Sequence, residues 1–145
     1  MPVIPMAGYS GTPLADKLGI KEGAQLCPLN APSNYLTLIA PLPPRTTITT
    51  RPSASTDVIH VFTVKRADLA RRLGTLRTRI KPEAAIWVSW PKKASKVATD
   101  ITEDTIRAVA LPIGLVDVKV CAVDETWSGL KLVIRRALRP KGDDR

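Results

Sequence analysis

Apolar positions fall in short runs separated by turns that carry proline, glycine and small polar residues. AQLCPL, residues 24–29, predicts a short buried strand, with Pro28 marking where pairing is lost. DVIHVFTV (57–64) is apolar on both faces, as suits an inner strand of a parallel sheet covered on both sides. AAIWVSW (84–90) predicts another buried strand, stopped by Pro91, and the β-branched TTITTR (46–51) a strand that RPSAST turns into loop. VDVKVCAVD alternates, with Val116, Val118, Val120 and Ala122 on one side, and Trp127, Ser128 and Gly129 predict a turn into a last strand, LKLVIRR.

Helical patterns lie between these runs. GTPLADKLGI places Thr12 as N-cap, Pro13 at the first helical position and Gly19 just past the end. Ser33 is placed to cap a helix over 33–40 that Pro41 terminates. In residues 65–81, Leu69, Leu73, Leu76 and Ile80 form one stripe, leaving Arg66, Arg71, Arg72, Arg77 and Arg79 to a solvated face. Asp100 or Thr102 caps a further helix reaching about Leu111.

Strand and helix therefore alternate from residue 24 to about 111, and a hairpin follows. Alternation implies parallel strands with right-handed crossovers. With the closing antiparallel hairpin, the pattern is similar to the class I methyltransferase fold lacking one strand and its crossover. The expected architecture is a reduced Rossmann-like α/β domain spanning 1–136, followed by a mobile basic tail, 137–145.

That fold normally follows its first strand with a glycine-rich turn, where backbone must approach the cofactor, and ends its second strand near a ribose-binding carboxylate. Here the turn is PLNAPSN, without glycine. The second strand ends in TTRPSAS, and the next acid is Asp57. Both absences argue against S-adenosylmethionine, and no cofactor is expected. Ser33 and Asn34 could instead present helix N–H groups to an anion, or Pro32 and Ser33 could simply start and cap the helix.

The 145 residues suit one domain, and 22 Lys and Arg against 13 Asp and Glu give a net charge of +9. Such a balance favours acidic partners: an anionic small molecule, an acidic protein surface or, less well, nucleic acid. Cys27 and Cys121 lie far apart without metal-ligand spacing, so neither a disulfide framework nor a metal is expected. A reduced cytoplasmic setting fits, and neither a signal segment nor a membrane span is read. His60 reads as a hydrogen-bonded core imidazole.

YSGTPLADKLGI, WVSWPKKASKVATDITEDTIR and GLVDVKVCAVDETWSGLKLV together resemble an uncharacterised bacterial domain-of-unknown-function family of short stand-alone proteins. The resemblance spans nearly the whole chain and implies no activity. In the expected fold these stretches meet at the carboxyl ends of the strands. That edge gathers Asn30, Ser33, Lys65, Arg66, Trp90, Lys92, Lys93 and Lys96, with Asp124, Glu125 and Trp127 returning on the hairpin. The lysines are suited to hold a phosphate or carboxylate beside a tryptophan, or to pair with Asp100, Asp124 and Glu125. The leading expectation is a non-catalytic protein that binds a ligand or partner. The alternatives are a small S-adenosylmethionine-dependent methyltransferase with an atypical cofactor loop, and a nucleic-acid-binding protein using the arginine-rich helix and tail. Homodimerisation through the hairpin edge stays open.

Overall fold

The computed structural model describes residues 12–139. Six strands form one sheet: β1 (Gln25–Leu29), β2 (Thr47–Ile48), β3 (Val58–Phe62), β4 (Ala85–Pro91), β5 (Leu115–Ala122) and β6 (Trp127–Ile134), in the order β2-β1-β3-β4-β6-β5. β1 to β4 are mutually parallel, whereas β6 enters antiparallel between β4 and β5. The chain moves outward from β1 to β2 and then returns past β1 to β3. Strand order therefore reverses between β1 and β3, which is where open α/β sheets place their ligands. Pro28 ends pairing on one side only: β2 pairs with Gln25 and Leu26, while β3 accompanies β1 through Leu29.

Alternation of side chains divides the sheet into two apolar layers. On one face Leu26, Val58, Phe62 and Trp87 pack with α1 (Leu14–Lys17) and α2 (Tyr35–Ile39). On the other, Cys27, Ile59, Val61, Ile86 and Val88 pack with α3 (Arg66–Arg79) and α4 (Glu103–Ala110). The predicted stripe of Leu69, Leu73, Leu76 and Ile80 is buried as expected.

The helix ends follow local chemistry. At the end of α1, Gly19 adopts φ +76°, and Ile20 and Gly19 donate to the carbonyls of Ala15 and Asp16, a Schellman stop that Gly accepts without strain. At its start the N-cap position is Pro13 rather than Thr12, and proline has no side-chain group to cap with. Thr102 does cap α4, accepting from the Thr105 N–H while the Thr105 hydroxyl accepts from the Thr102 N–H. Thr102→Ala should therefore cost about 1 kcal/mol, read as a shift in the urea midpoint at unchanged m-value.

Two further expectations change. The hairpin turn falls at Asp124–Thr126, so Trp127 already belongs to β6. A bulge between Asp117 and Lys119 shifts the register of β5, breaking the predicted valine face, and edge position leaves Val118 and Val120 exposed. Arg136–Leu138 forms a 3-10 turn; the remainder of the basic tail, 140–145, lies outside the described residues, as does the YSG of the first motif. Among the described residues no helix is long and apolar enough to cross a membrane.

Candidate functional site

At the reversal point the chain leaves β1 through Asn30, whose φ of +59° lies in the left-handed region. Asn tolerates that conformation better than most residues, and here its side chain turns it to account. Asn30 Nδ2 donates to the Phe62 carbonyl at 3.0 Å, bridging the carboxyl ends of β1 and β3. The crevice is thus crossed by a side chain where the fold usually leaves room for a ligand. Ser33 is exposed and does not cap: the N-cap of α2 is Asn34, which also makes no side-chain cap bond. With five residues, α2 is too short for its N-terminus to serve as an anion site. The end of β2 offers no carboxylate: it runs into TTRPSAST, where the Thr49 hydroxyl donates to the Arg51 carbonyl at 3.2 Å. Asp57 belongs to the opposite edge, where it accepts from the Gln25 N–H at 2.8 Å and from Lys81. Burial would raise its carboxyl, but these bonds outweigh burial and hold it below its ordinary range.

The remaining candidates do converge on the carboxyl edge, but the sheet separates them. Pro91 faces Trp127 in register and Trp90 faces Ser128, so the two tryptophans project from opposite faces. Trp127 packs edge-on against Phe62, with ring centroids 5.0 Å apart. Trp90 is buried among Ile101, Ile106 and the α3 leucines. Over it opens a cavity of about 410 Å³, lined also by Lys93, Lys96, Val97 and Thr102. Lys92 lies outside that lining and ties the loop to the hairpin through its N–H, which donates to the Thr126 carbonyl at 2.7 Å.

The alternative pairing of these lysines with nearby acids does not occur among the described residues. Asp124 Oδ1 accepts from the N–H groups of Thr126 and Trp127, both at 2.8 Å, and so builds the hairpin turn. Asp100 accepts from the Arg66 N–H at 2.6 Å, anchoring the start of α3. Glu125 is exposed. Lys93 and Lys96 make no ion pair among the described residues, and the Glu103 carboxylate in the same cavity is engaged by Arg107. Lys65 precedes α3 at its N-cap position, outside the cavity.

The arginine-rich helix is less available than its composition suggests. Arg71 and Arg72 both bond Asp68, and Arg77 Nε donates to the Ile113 carbonyl at 2.9 Å.

Beneath α2 lies a buried polar chain that sequence reasoning found only in part. His60 is fully buried, as expected, and its Nδ1 meets the Tyr35 hydroxyl at 2.8 Å while Nε2 meets Ser89 Oγ at 2.7 Å. Burial pulls the imidazole pKa down to about 3, so it is neutral at pH 7. Its neighbours come from elements 25 and 29 residues away. A serine inside the apolar run AAIWVSW was the available signal for one of them. All three side chains are too buried to reach a substrate. Cys27 and Cys121 are both unpaired thiols whose pKa burial raises, which favours the unreactive form. Among the described residues no group of His, Cys, Asp or Glu could hold a metal.

No protein-family model and no curated protein sequence matches the chain. Solved structures do. A SAM-dependent methyltransferase from Aquifex aeolicus superposes with a TM-score of 0.61 at 14% identity, covering 83% of this chain and 87% of that one. The B. subtilis M1A22 tRNA methyltransferase TrmK gives 0.56 at 12% identity, over 79% and 62% of the two chains. The ribosomal protein L11 methylase from Lactobacillus delbrueckii subsp. bulgaricus gives 0.53 at 8% identity, over 83% and 74%. At these identities the likeness defines the fold, and this chain is an α/β protein with the class I methyltransferase-like Rossmann architecture, a mostly parallel sheet closed by an antiparallel hairpin.

Proposed function

We propose that the protein binds an anionic small molecule in the cavity over Trp90, on a methyltransferase-like scaffold altered where an adenosine cofactor would be gripped. The observation that carries this reading is the pair of ammonium groups, Lys93 and Lys96, lining an open cavity without an ion-pair partner among the described residues. The N-terminus of α4 borders the same cavity through Thr102 and adds favourable field for an anion. Val97 and the Trp90 floor supply apolar contact. A thermal-shift screen of carboxylates and phosphates should find compounds that raise Tm. Lys93→Gln and Lys96→Gln should each weaken the best of them by roughly 1.5–3 kcal/mol, about 10- to 150-fold in Kd. Binding that ignores both substitutions would refute the assignment.

A second reading, S-adenosylmethionine-dependent methyl transfer, draws its support from the solved neighbours, which speak more for a methyltransferase than for a protein without catalysis. In that reading the cofactor lies against residues 30–33 and the Trp90 cavity receives the methyl acceptor. It requires Asn30 to release the Phe62 carbonyl and something other than a carboxylate at the end of β2 to meet the ribose. Calorimetry with S-adenosylmethionine separates the two readings. A micromolar signal abolished by changing Asn30 or Ser33 supports the methyltransferase, and silence supports the first reading. The resemblance to an uncharacterised bacterial family adds no activity to either.

A further inference from the structure

We infer that the groove between α3 and the carboxyl ends of β1 and β2 is a second anion site, shaped for a phosphate group carried on a small, partly apolar molecule. The groove encloses about 250 Å³. Leu29, Leu76 and Pro52 line it with apolar surface, Arg71, Arg72 and Arg79 supply charge, and no carboxylate lines it. It shares no lining residue with the Trp90 cavity.

The groove exists because the sheet is short on this side. β2 is two residues long, Ile48 is 40% exposed, and α3 covers the sheet only as far as its leucine stripe reaches. What faces the gap is the flank of α3, where positions 72, 75 and 79 recur at helical spacing and line up on one side. Arg72 and Arg79 are thus about 10 Å apart along the axis, and both side chains can bend towards one bound group.

Asp68 makes this more than a basic surface. It holds Arg71 through Nη2 at 2.6 Å and Arg72 through Nε at 3.1 Å, and is itself fixed by the Thr63 hydroxyl at 2.8 Å. Burial would raise its carboxyl, but the Thr63 and arginine bonds keep it below its usual range, so it stays charged. One carboxylate orients two guanidiniums and neutralises one of them. Both Nη groups of Arg72 are left over, and Arg79 pairs with no carboxylate among the described residues. The surplus of about two positive charges matches a phosphate dianion, whose oxygens fit the guanidinium fork. A nucleic-acid strand would need a continuous exposed stripe, but Arg77, across the helix, is turned onto the Ile113 carbonyl. The apolar floor favours a phosphate with a hydrophobic body.

Phenyl phosphate, a phosphate on a small ring, is the probe, titrated calorimetrically into the full chain at low salt with ¹H–¹⁵N shifts followed in parallel. It should bind with shifts centred on Thr75, Leu76 and Arg79. Arg79→Gln, which breaks no ion pair among the described residues, should weaken it about tenfold, and Arg72→Gln with Arg79→Gln further. Lys93→Gln with Lys96→Gln should leave it unchanged, so this site stands or falls independently of the Trp90 cavity. Absence of heat, or equal binding by wild type and Arg79→Gln, overturns the inference. So does a uridine oligonucleotide that binds more tightly than phenyl phosphate and loses affinity evenly with every arginine or lysine removed, because that pattern marks diffuse surface charge.

Discussion

Between pH 6.5 and about 3 the folded protein should lose stability at about 1.4 kcal/mol per pH unit from a single residue, His60. In the unfolded chain its imidazole takes a proton below its ordinary value of 6.5, whereas burial keeps it neutral in the fold until about pH 3. The unfolded state therefore binds one more proton across this window, and stability rises with pH through it and is complete above it. The groups facing the ring are the hydroxyls of Tyr35 and Ser89 and the Phe62 ring, 4.3 Å away between centroids, none of which offers negative charge to an imidazolium. Asp57 and Asp68, whose carboxyls are held low in the fold, add loss of the same sign at the acid end. Urea unfolding at several pH values measures the slope. Replacing the whole chain, Tyr35→Phe with His60→Leu and Ser89→Ala, removes both partners of each bond together and should flatten the slope while the protein still folds. A slope that survives the triple replacement would show that other groups carry it.

Trp87→Ala should be the most damaging single substitution in the sheet, at about 3–5 kcal/mol. Trp87 is fully buried at the centre of β4, between the His60 of β3 and the Lys131 of β6. Its indole N–H donates to the Leu18 carbonyl at 2.9 Å, the residue that ends α1. It therefore joins the first helix to the middle of the sheet, 69 residues further along the chain. Trp87→Phe keeps much of the volume but orphans a buried carbonyl, at about 1–3 kcal/mol. Hydrogen exchange should report the difference: in Trp87→Phe the α1 amides should exchange faster than those of β3 and β4. Uniform acceleration across all elements would mean that α1 is not separately held by this bond.

Much of the fold is legible because runs such as DVIHVFTV and AAIWVSW must be covered on both faces, and because Thr102, Pro28 and Gly19 act locally. What escapes the sequence depends on pairing. The opposite facing of Trp90 and Trp127 follows from Pro91 lying across from Trp127, a register that no local signal sets. The valine face of β5 is lost to one bulge, which inverts parity for every residue after it. Ser33 fails as a cap because α2 begins at Tyr35 with Asn34 in the N-cap position, a boundary one residue off that local capping preference does not fix. The gathering of lysines beside Trp90 is legible, since they crowd one loop. Their freedom from Asp124 is not, because only the hairpin turn reveals that this carboxylate is already occupied by its own backbone.

The bulge in β5 also bears on self-assembly. An outer strand offers unsatisfied peptide groups to any similar strand, and proteins that leave one bare must make it a poor template. Here a two-fold pairing centred on the bare stretch would set Lys119 against its own symmetry mate, and the irregular backbone beside it would interrupt the new ladder. The same irregularity that confuses the pattern of valines is thus of the kind that makes an outer strand a poorer template for a further ladder.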